Sequence, residues 1–255
     1  MTTTHHTSQI SAPKDATGLT NAMQTEAGRT LLEKIRRKQA RVAIMGLGYV
    51  GLPLVQAIHN AGFPVIGFDI DDKKIEMLRR GETYLKHLGA DLSKSLSNSD
   101  RFVPTSSAAD LADADIVVLC VPTPLGEHRE PDLSFVLGST EIAGRALREG
   151  QLVVLESTTY PGTTRDEMAP TLQKAAAARG LDLVIGRDFF VAYSPEREDP
   201  GRANVTTSSI PKLVGGIDED SGRLASAFYR SFIERVHDVS NAEASRPLSS
   251  SIPPT

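Results

Sequence analysis

The sequence predicts a doubly wound α/β fold, a parallel sheet of the Rossmann type, and three features carry that expectation. Short apolar runs recur at 42–45, 65–68, 116–121, 152–155, 189–192 and 212–215. Stretches with helical spacing of apolar residues separate most of them, so strand and helix alternate as parallel crossovers require. Between the first two runs stands Gly46-Leu47-Gly48-Tyr49-Val50-Gly51, a glycine cluster placed where a strand would turn into a helix.

The elements follow in order. Residues 1–24 are rich in Thr, Ser, Ala and His and are expected to form a disordered leader; they show no basic stretch followed by an apolar run, the mark of a secretory signal. Leu31, Leu32 and Ile35, followed by Arg36, Arg37 and Lys38, predict a short amphipathic helix. Val42–Met45 is the first strand, and Leu52, Leu54, Val55 and Ile58 predict a helix ending at Gly62. Val65–Phe68 closes a βαβ unit at Asp69, after which Ile75, Met77 and Leu78 lie on a helix with a charged surface. Helical patterns over 133–147 and 166–179 alternate with the next three strands. Lys212–Gly215 predicts a last strand and 218–232 a last helix behind an Asp cap. Residues 25–239 thus form one domain. In 240–255 eight of sixteen residues are Ser or Pro, which predicts a disordered tail.

The composition, 40% hydrophobic and 24% charged, is that of an ordinary globular chain. A net charge of −4 provides no electrostatic footprint for nucleic acid or an anionic membrane, and no apolar run approaches the ~20 residues needed to cross a bilayer. A lone cysteine, Cys120, excludes an internal disulfide framework and a cysteine-rich zinc site, and it fits a cytoplasmic location. His5, His6, His59, His87, His128 and His237 show no ligand spacing, so no metal is expected.

The glycine cluster carries the first chemistry. Gly46 suits the tight turn, Gly48 a close approach of backbone to a pyrophosphate, and Gly51 the packing of helix on sheet, with Tyr49 and Val50 completing the loop. Free N–H groups at the helix start would meet the phosphate charge, where the helix dipole contributes about 0.3–1 kcal/mol. Asp69 stands 23 residues after Gly46, close to the interval of about 20 at which a carboxylate grips the adenosine ribose. Asp71 and Asp72 beside it would repel a 2′-phosphate and favour NAD over NADP, while Lys73 and Lys74 pull the other way. Lys74 is counted among the coenzyme-binding residues. Asp71 and Asp72 themselves read best as helix cap and dipole compensation.

Three further strings lie where ligands of open α/β sheets bind, after the carboxyl ends of strands. Val121-Pro122-Thr123-Pro124-Leu125 is a proline-stiffened loop with one hydroxyl. Glu156-Ser157-Thr158-Thr159-Tyr160-Pro161-Gly162-Thr163-Thr164 is rich in hydroxyls, of which Thr163 and Thr164 read as caps of the next helix. Tyr193-Ser194-Pro195-Glu196-Arg197-Glu198-Asp199-Pro200-Gly201 sets a carboxylate beside a guanidinium. Glu196 suits a general base and Arg197 a phosphate contact, with a surface ion pair as the plainer explanation.

Taken in order, GLGYVGLP at 46–53, VPTPL at 121–125, STTYPGTT at 157–164 and SPEREDPG at 194–201 resemble the UDP-glucose/GDP-mannose dehydrogenase family. The likeness is strongest to its bacterial branch acting on UDP-N-acetylglucosamine or UDP-N-acetylmannosamine. It implies NAD-dependent oxidation of the C6 alcohol of a UDP-sugar to a carboxylate for polysaccharide biosynthesis, through a cysteine thioester that water opens. It further implies that Asp69 holds ribose and that Thr123 and Ser157 line the nicotinamide side. Thr158 and Glu196 would be the catalytic groups acting on water, and Glu196 and Arg197 would contact substrate. Tyr84 and His87 match a family segment to which no chemistry is assigned. The residues after Ala244 depart from the family pattern, which continues into a central helix and a second domain bearing the nucleophilic cysteine. A truncated chain that binds NAD without turnover is therefore expected. Cys120, inside an apolar run, is expected to be a buried small hydrophobe and not a substitute nucleophile.

Two other functions are compatible with the residues. One is a non-catalytic module that binds NAD or a partner, as a homodimer or beside an intact paralogue; the other is a hydroxyacid dehydrogenase of related fold. The first is marked by co-purification with a longer chain, the second by its substrates.

Overall fold

A computed structural model describes residues 23–85, 88–124, 131–195 and 207–239. The expected leader up to residue 22, the tail from 240, His87, His128, Leu125 and most of the SPEREDPG string lie outside the described residues. Eight strands form one sheet in the order β3-β2-β1-β4-β5-β6-β7-β8. They are β1 (Val42–Met45), β2 (Val65–Phe68), β3 (Phe102–Thr105), β4 (Ile116–Leu119), β5 (Leu152–Leu155), β6 (Phe190–Tyr193), β7 (Lys212–Gly216) and β8 (Val236–Asp238). The helices are α1 (Glu26–Arg36), α2 (Gly51–Asn60), α3 (Asp72–Arg79), α4 (Ala90–Ser97), α5 (Ser134–Ala146), α6 (Ala169–Ala177) and α7 (Glu219–Tyr229).

β1 to β6 are all parallel, with Val42 opposite both Val65 and Ile116, and Ile116 opposite Leu152. The expected doubly wound sheet is present, with one strand reversed. β7 runs antiparallel to β6, pairing Tyr193 with Gly215, and β8 then runs parallel to β7. A reversed strand needs no helical crossover, so the chain enters β7 at the sheet edge where β6 ended.

Alternation along each strand splits the core into two layers, because successive side chains point to opposite faces. Val42, Ile44, Ile116, Val118, Leu152 and Val154 pack with Leu31, Leu54, Ile58 and Phe228 of α1, α2 and α7. Ala43, Met45, Val117, Leu119, Val153 and Leu155 pack with Val136, Ala143, Met168 and Leu172 of the α5–α6 side. With both faces covered, the central strands read as unbroken apolar runs, which is why they were legible. β3, β8 and α4 gave no such signal. β3 contains Pro104 and an exposed Val103, as an edge strand tolerates, and α4 buries Leu92 and Leu96, one helical turn apart.

The predicted caps are partly realised. Asp71 accepts from Lys73 N at the start of α3, and Asp218 from Ser221 N at the start of α7. Thr163 and Thr164 do not cap a helix. The Thr163 hydroxyl instead donates to the Tyr160 carbonyl at 2.8 Å, and residues 163–168 form a π-type turn that begins behind Gly162. A β-branched hydroxyl that finds a carbonyl three residues back has no need of a helix N–H.

Candidate functional site

The carboxyl ends of β2, β1, β4 and β5 open into one cavity of about 560 Å³. Four adjacent strands at about 4.8 Å spacing span roughly 14 Å from the β2 tip to the β5 tip.

The glycine loop forms its floor. Gly46 has φ +94°, and a Cβ there would stand 2.5 Å from the Cys120 carbonyl oxygen. A Cβ on Gly51 would stand 1.8 Å from the Gly46 carbonyl oxygen, so the loop closes on α2 only because that residue has no side chain. Gly48 differs: a Cβ there meets no protein atom within 4 Å and would project into open space. The first turn of α2, like those of α5 and α6 and unlike the Thr- or Asp-capped α1, α3 and α7, has no side-chain cap and no acidic residue. An uncapped N-terminus beside a bare glycine is a place for an external anion.

Asp69 closes the β2 end. Its carboxylate is buried and accepts from Leu47 N at 2.9 Å, Asp71 N at 3.0 Å and Lys74 Nζ at 2.9 Å. A carboxylate offers about four acceptor positions, so these three bonds leave capacity for a ligand hydroxyl. Tyr84 holds the same loop from the other side, donating its hydroxyl to the Leu47 carbonyl at 2.7 Å. Burial, then the Asp69 and Asp71 carboxylates, push the Tyr84 phenol well above its ordinary range, so it remains a donor. The Leu47 backbone is thus gripped at both its N–H and its C=O.

At the other end the β4 and β5 loops are stitched together. Ser157 Oγ donates to the Val121 carbonyl at 2.7 Å, and Thr123 Oγ1 to the Thr158 carbonyl at 2.6 Å. Ser157, Thr123 and Thr158 all line the cavity, as do Gly46, Gly48, Tyr49, Val50, Asp69 and Lys74. The structure therefore brings together every expected coenzyme residue except Gly51, which lies buried behind the loop. Glu196 and Arg197 lie outside the described residues; Ser194 and Pro195 before them are buried at the end of β6.

Sequence reasoning missed the wall residues Ile70 and Phe135. With the expected Tyr49 they are 78%, 49% and 60% exposed in that order, an apolar rim that water covers poorly and a flat ligand would cover well. Phe135 and Ser139 stand one turn apart on α5, a helix too far along the chain for local spacing to connect it with Asp69. Cys120 follows β4 directly and is buried, as expected, but it also forms part of the cavity wall. Glu156 was noted only as the start of a hydroxyl-rich string. Its carboxylate is buried, paired with Lys212 of β7 and bonded by the Tyr229 hydroxyl of α7. Burial and the adjoining Glu156 charge raise the Tyr229 phenol well above its usual range, which keeps it the donor. Among the described residues no group of His, Cys, Asp or Glu is arranged to hold a metal ion, and no helix is long and apolar enough to cross a membrane.

The bare Gly48, the uncapped α2 and the spare acceptor position of Asp69 fit a dinucleotide with a ribose diol and a pyrophosphate. Known proteins agree. The chain is 35% identical over 216 residues to UDP-N-acetyl-D-glucosamine 6-dehydrogenase of Pseudomonas aeruginosa, covering 83% of this chain and 49% of that one. Its fold superposes on NDP-N-acetyl-D-galactosaminuronic acid dehydrogenase from Methanosarcina mazei with TM-score 0.71 and 32% identity, over 84% of this chain and 47% of that one. UDP-D-ManNAc dehydrogenase from Pyrococcus horikoshii superposes with TM-score 0.70 and 33% identity, over 80% and 47% of the two chains. This chain spans about half the length of these relatives. Residues 40–233 match the model of the NAD binding domain of the UDP-glucose/GDP-mannose dehydrogenase family, and the chain belongs to that family.

Proposed function

We propose that the chain binds NAD in this cavity and supplies the coenzyme half of a site that oxidises the C6 alcohol of a UDP-sugar to the uronic acid. The observation that carries the proposal is the continuity of the cavity from Asp69, past Gly48, to Ser157 and Thr158. Bound NAD would accept the hydride. The chain's own residues bind and orient it. Asp69 takes the adenosine ribose on its spare acceptor position, with Leu47 N, Asp71 N and Lys74 Nζ fixing the carboxylate. Asp69 with the neighbouring Asp71 and Asp72 disfavours a 2′-phosphate. The N-terminus of α2 receives the pyrophosphate where a side chain at Gly48 would otherwise stand. Thr123 and Ser157 spend their protons on backbone carbonyls and present oxygen to the nicotinamide end. Thr158, exposed on the cavity wall, would orient water, with Glu196 as its partner in activation and Arg197 on the substrate.

Calorimetric titration tests the coenzyme site. The parent chain is expected to bind NAD, and Asp69→Ala to weaken it by about 1.5–3 kcal/mol, tenfold to more than a hundredfold. Equal affinities would overturn the assignment. Oxidation at C6 is tested by NADH formation with UDP-N-acetylglucosamine, UDP-N-acetylmannosamine and UDP-glucose. Assayed by itself, the 255-residue chain is expected to bind NAD without turnover, since its one cysteine is buried in the cavity wall. Steady NADH formation would overturn that expectation.

A further inference from the structure

Glu156 occupies the cavity wall at the β5 end, and the coenzyme-holding roles above make no use of it. Strand alternation puts it on the α7 side of the sheet, in line with Leu152 and Val154. The antiparallel direction of β7 starts that strand at the carboxyl edge, which delivers Lys212 beside Glu156. α7 then runs back to the same edge and delivers Tyr229. Three elements that meet only through this reversal thus surround one carboxylate. Lys212 and Tyr229 are themselves fully buried, and neither lines the cavity. Of the Glu156–Lys212 pair, the acidic residue is therefore the one on the cavity wall.

We propose that Glu156 is a specificity-determining residue for the oxidation state of the coenzyme, its carboxylate presenting the negative pole of the Glu156–Lys212 pair to the nicotinamide end of the cleft. This rests on the NAD site proposed above. Oxidised and reduced coenzyme differ at the nicotinamide by one positive charge and are otherwise alike in ribose, phosphate and adenine. A fixed negative pole at that end favours the pyridinium ring over the neutral dihydropyridine, and burial strengthens the effect by keeping solvent away. Product release gains from the same device, because the attraction disappears when the hydride arrives. A cluster that served only to tie α7 to β5 would, when altered, weaken both forms alike.

The test titrates the full chain with NAD and, separately, with NADH, following intrinsic coenzyme fluorescence for the latter and checking the fold by circular dichroism. Glu156→Gln keeps the shape and removes the negative pole. It is expected to lower NAD affinity about tenfold and NADH affinity less than about twofold, a change in ratio equivalent to about 1 kcal/mol. If that variant fails to fold without the Glu156–Lys212 pair, Glu156→Gln combined with Lys212→Met removes both charges at similar volume. The double variant is expected to shift the ratio in the same direction by a smaller factor. Equal losses for the two forms, or an unchanged ratio in the double variant, overturn the proposal while the NAD site stands. A parent chain that binds neither form overturns the NAD site, and this proposal with it.

Discussion

The two ends of the cleft each hold a carboxylate paired with a lysine, and they are built in opposite ways. At the β2 end, Asp69 is held by groups 2, 5 and 22 residues away, and its partner Lys74 has a side chain 33% exposed. At the β5 end, Glu156 is held by groups 56 and 73 residues away, and the Lys212 side chain is 2% exposed. The first pair sits on a local scaffold that water reaches; the second is a tertiary knot sealed from it. A ligand that needs a hydrogen-bond acceptor is served by the open carboxylate. A charge that acts at a distance is served by the sealed one, where screening is weak.

If that difference is real, the two lysines must respond unequally. Lys212→Ala leaves Glu156 buried without its counter-charge and is expected to cost about 3–5 kcal/mol in denaturant-unfolding free energy. A cost below 1 kcal/mol would mean that water reaches the knot after all. The glycine loop offers a second contrast. Gly51→Ala drives a methyl into the Gly46 carbonyl and is expected to cost about 1–3 kcal/mol or more of stability. Gly48→Ala meets no protein atom and is expected to change stability by about 0.5 kcal/mol or less while weakening NAD binding. Equal melting temperatures for the two variants, or undiminished NAD binding by Gly48→Ala, would break the distinction between packing glycine and ligand glycine.

Asp115, at the opposite edge of the sheet, sharpens the comparison because it is tertiary like Glu156 but reached by solvent-exposed partners. Burial works against its charge, yet Lys34, the Arg41 backbone N–H and Arg148 together hold its carboxyl below the ordinary range. A depressed folded value means that this stabilisation is complete above the unfolded carboxylate value of about 3.9 and is lost as pH falls through the lower folded one. Asp115→Asn is therefore expected to cost about 1.5–3 kcal/mol at neutral pH and to flatten the acid limb of the stability profile. Superimposable acid limbs for parent and variant would remove Asp115 from the account. A small effect belongs to Lys74→Ala as well, expected at about 0–1 kcal/mol of stability because the pair is partly solvated. A loss near that of Lys212→Ala would erase the contrast with which the comparison began.

Legibility in the sequence followed the same division. The strands of β1, β2, β4, β5 and β6 were readable because covering both faces of a sheet demands unbroken apolar runs. The glycine loop and Asp69 were readable because their chemistry is spaced along one βαβ unit, so chain distance and spatial distance nearly coincide. β3 and β8 were not, since an edge strand answers to solvent on one side and tolerates residues such as Pro104 and His237. Thr163 misled because a hydroxyl near a helix start has two partners to choose from, and only the fold shows that it took the Tyr160 carbonyl.

From the amino-acid order alone came the fold class, the coenzyme loop with its acidic partner and the family likeness, because each is written in local periodicity or in short contiguous strings. The tertiary structure alone decided the reversal of β7, the meeting of Glu156 with Lys212 and Tyr229, and the apolar rim of Ile70, Tyr49 and Phe135. Strand direction and long-range charge pairing depend on where separate elements come to rest, and one-dimensional spacing holds no record of that.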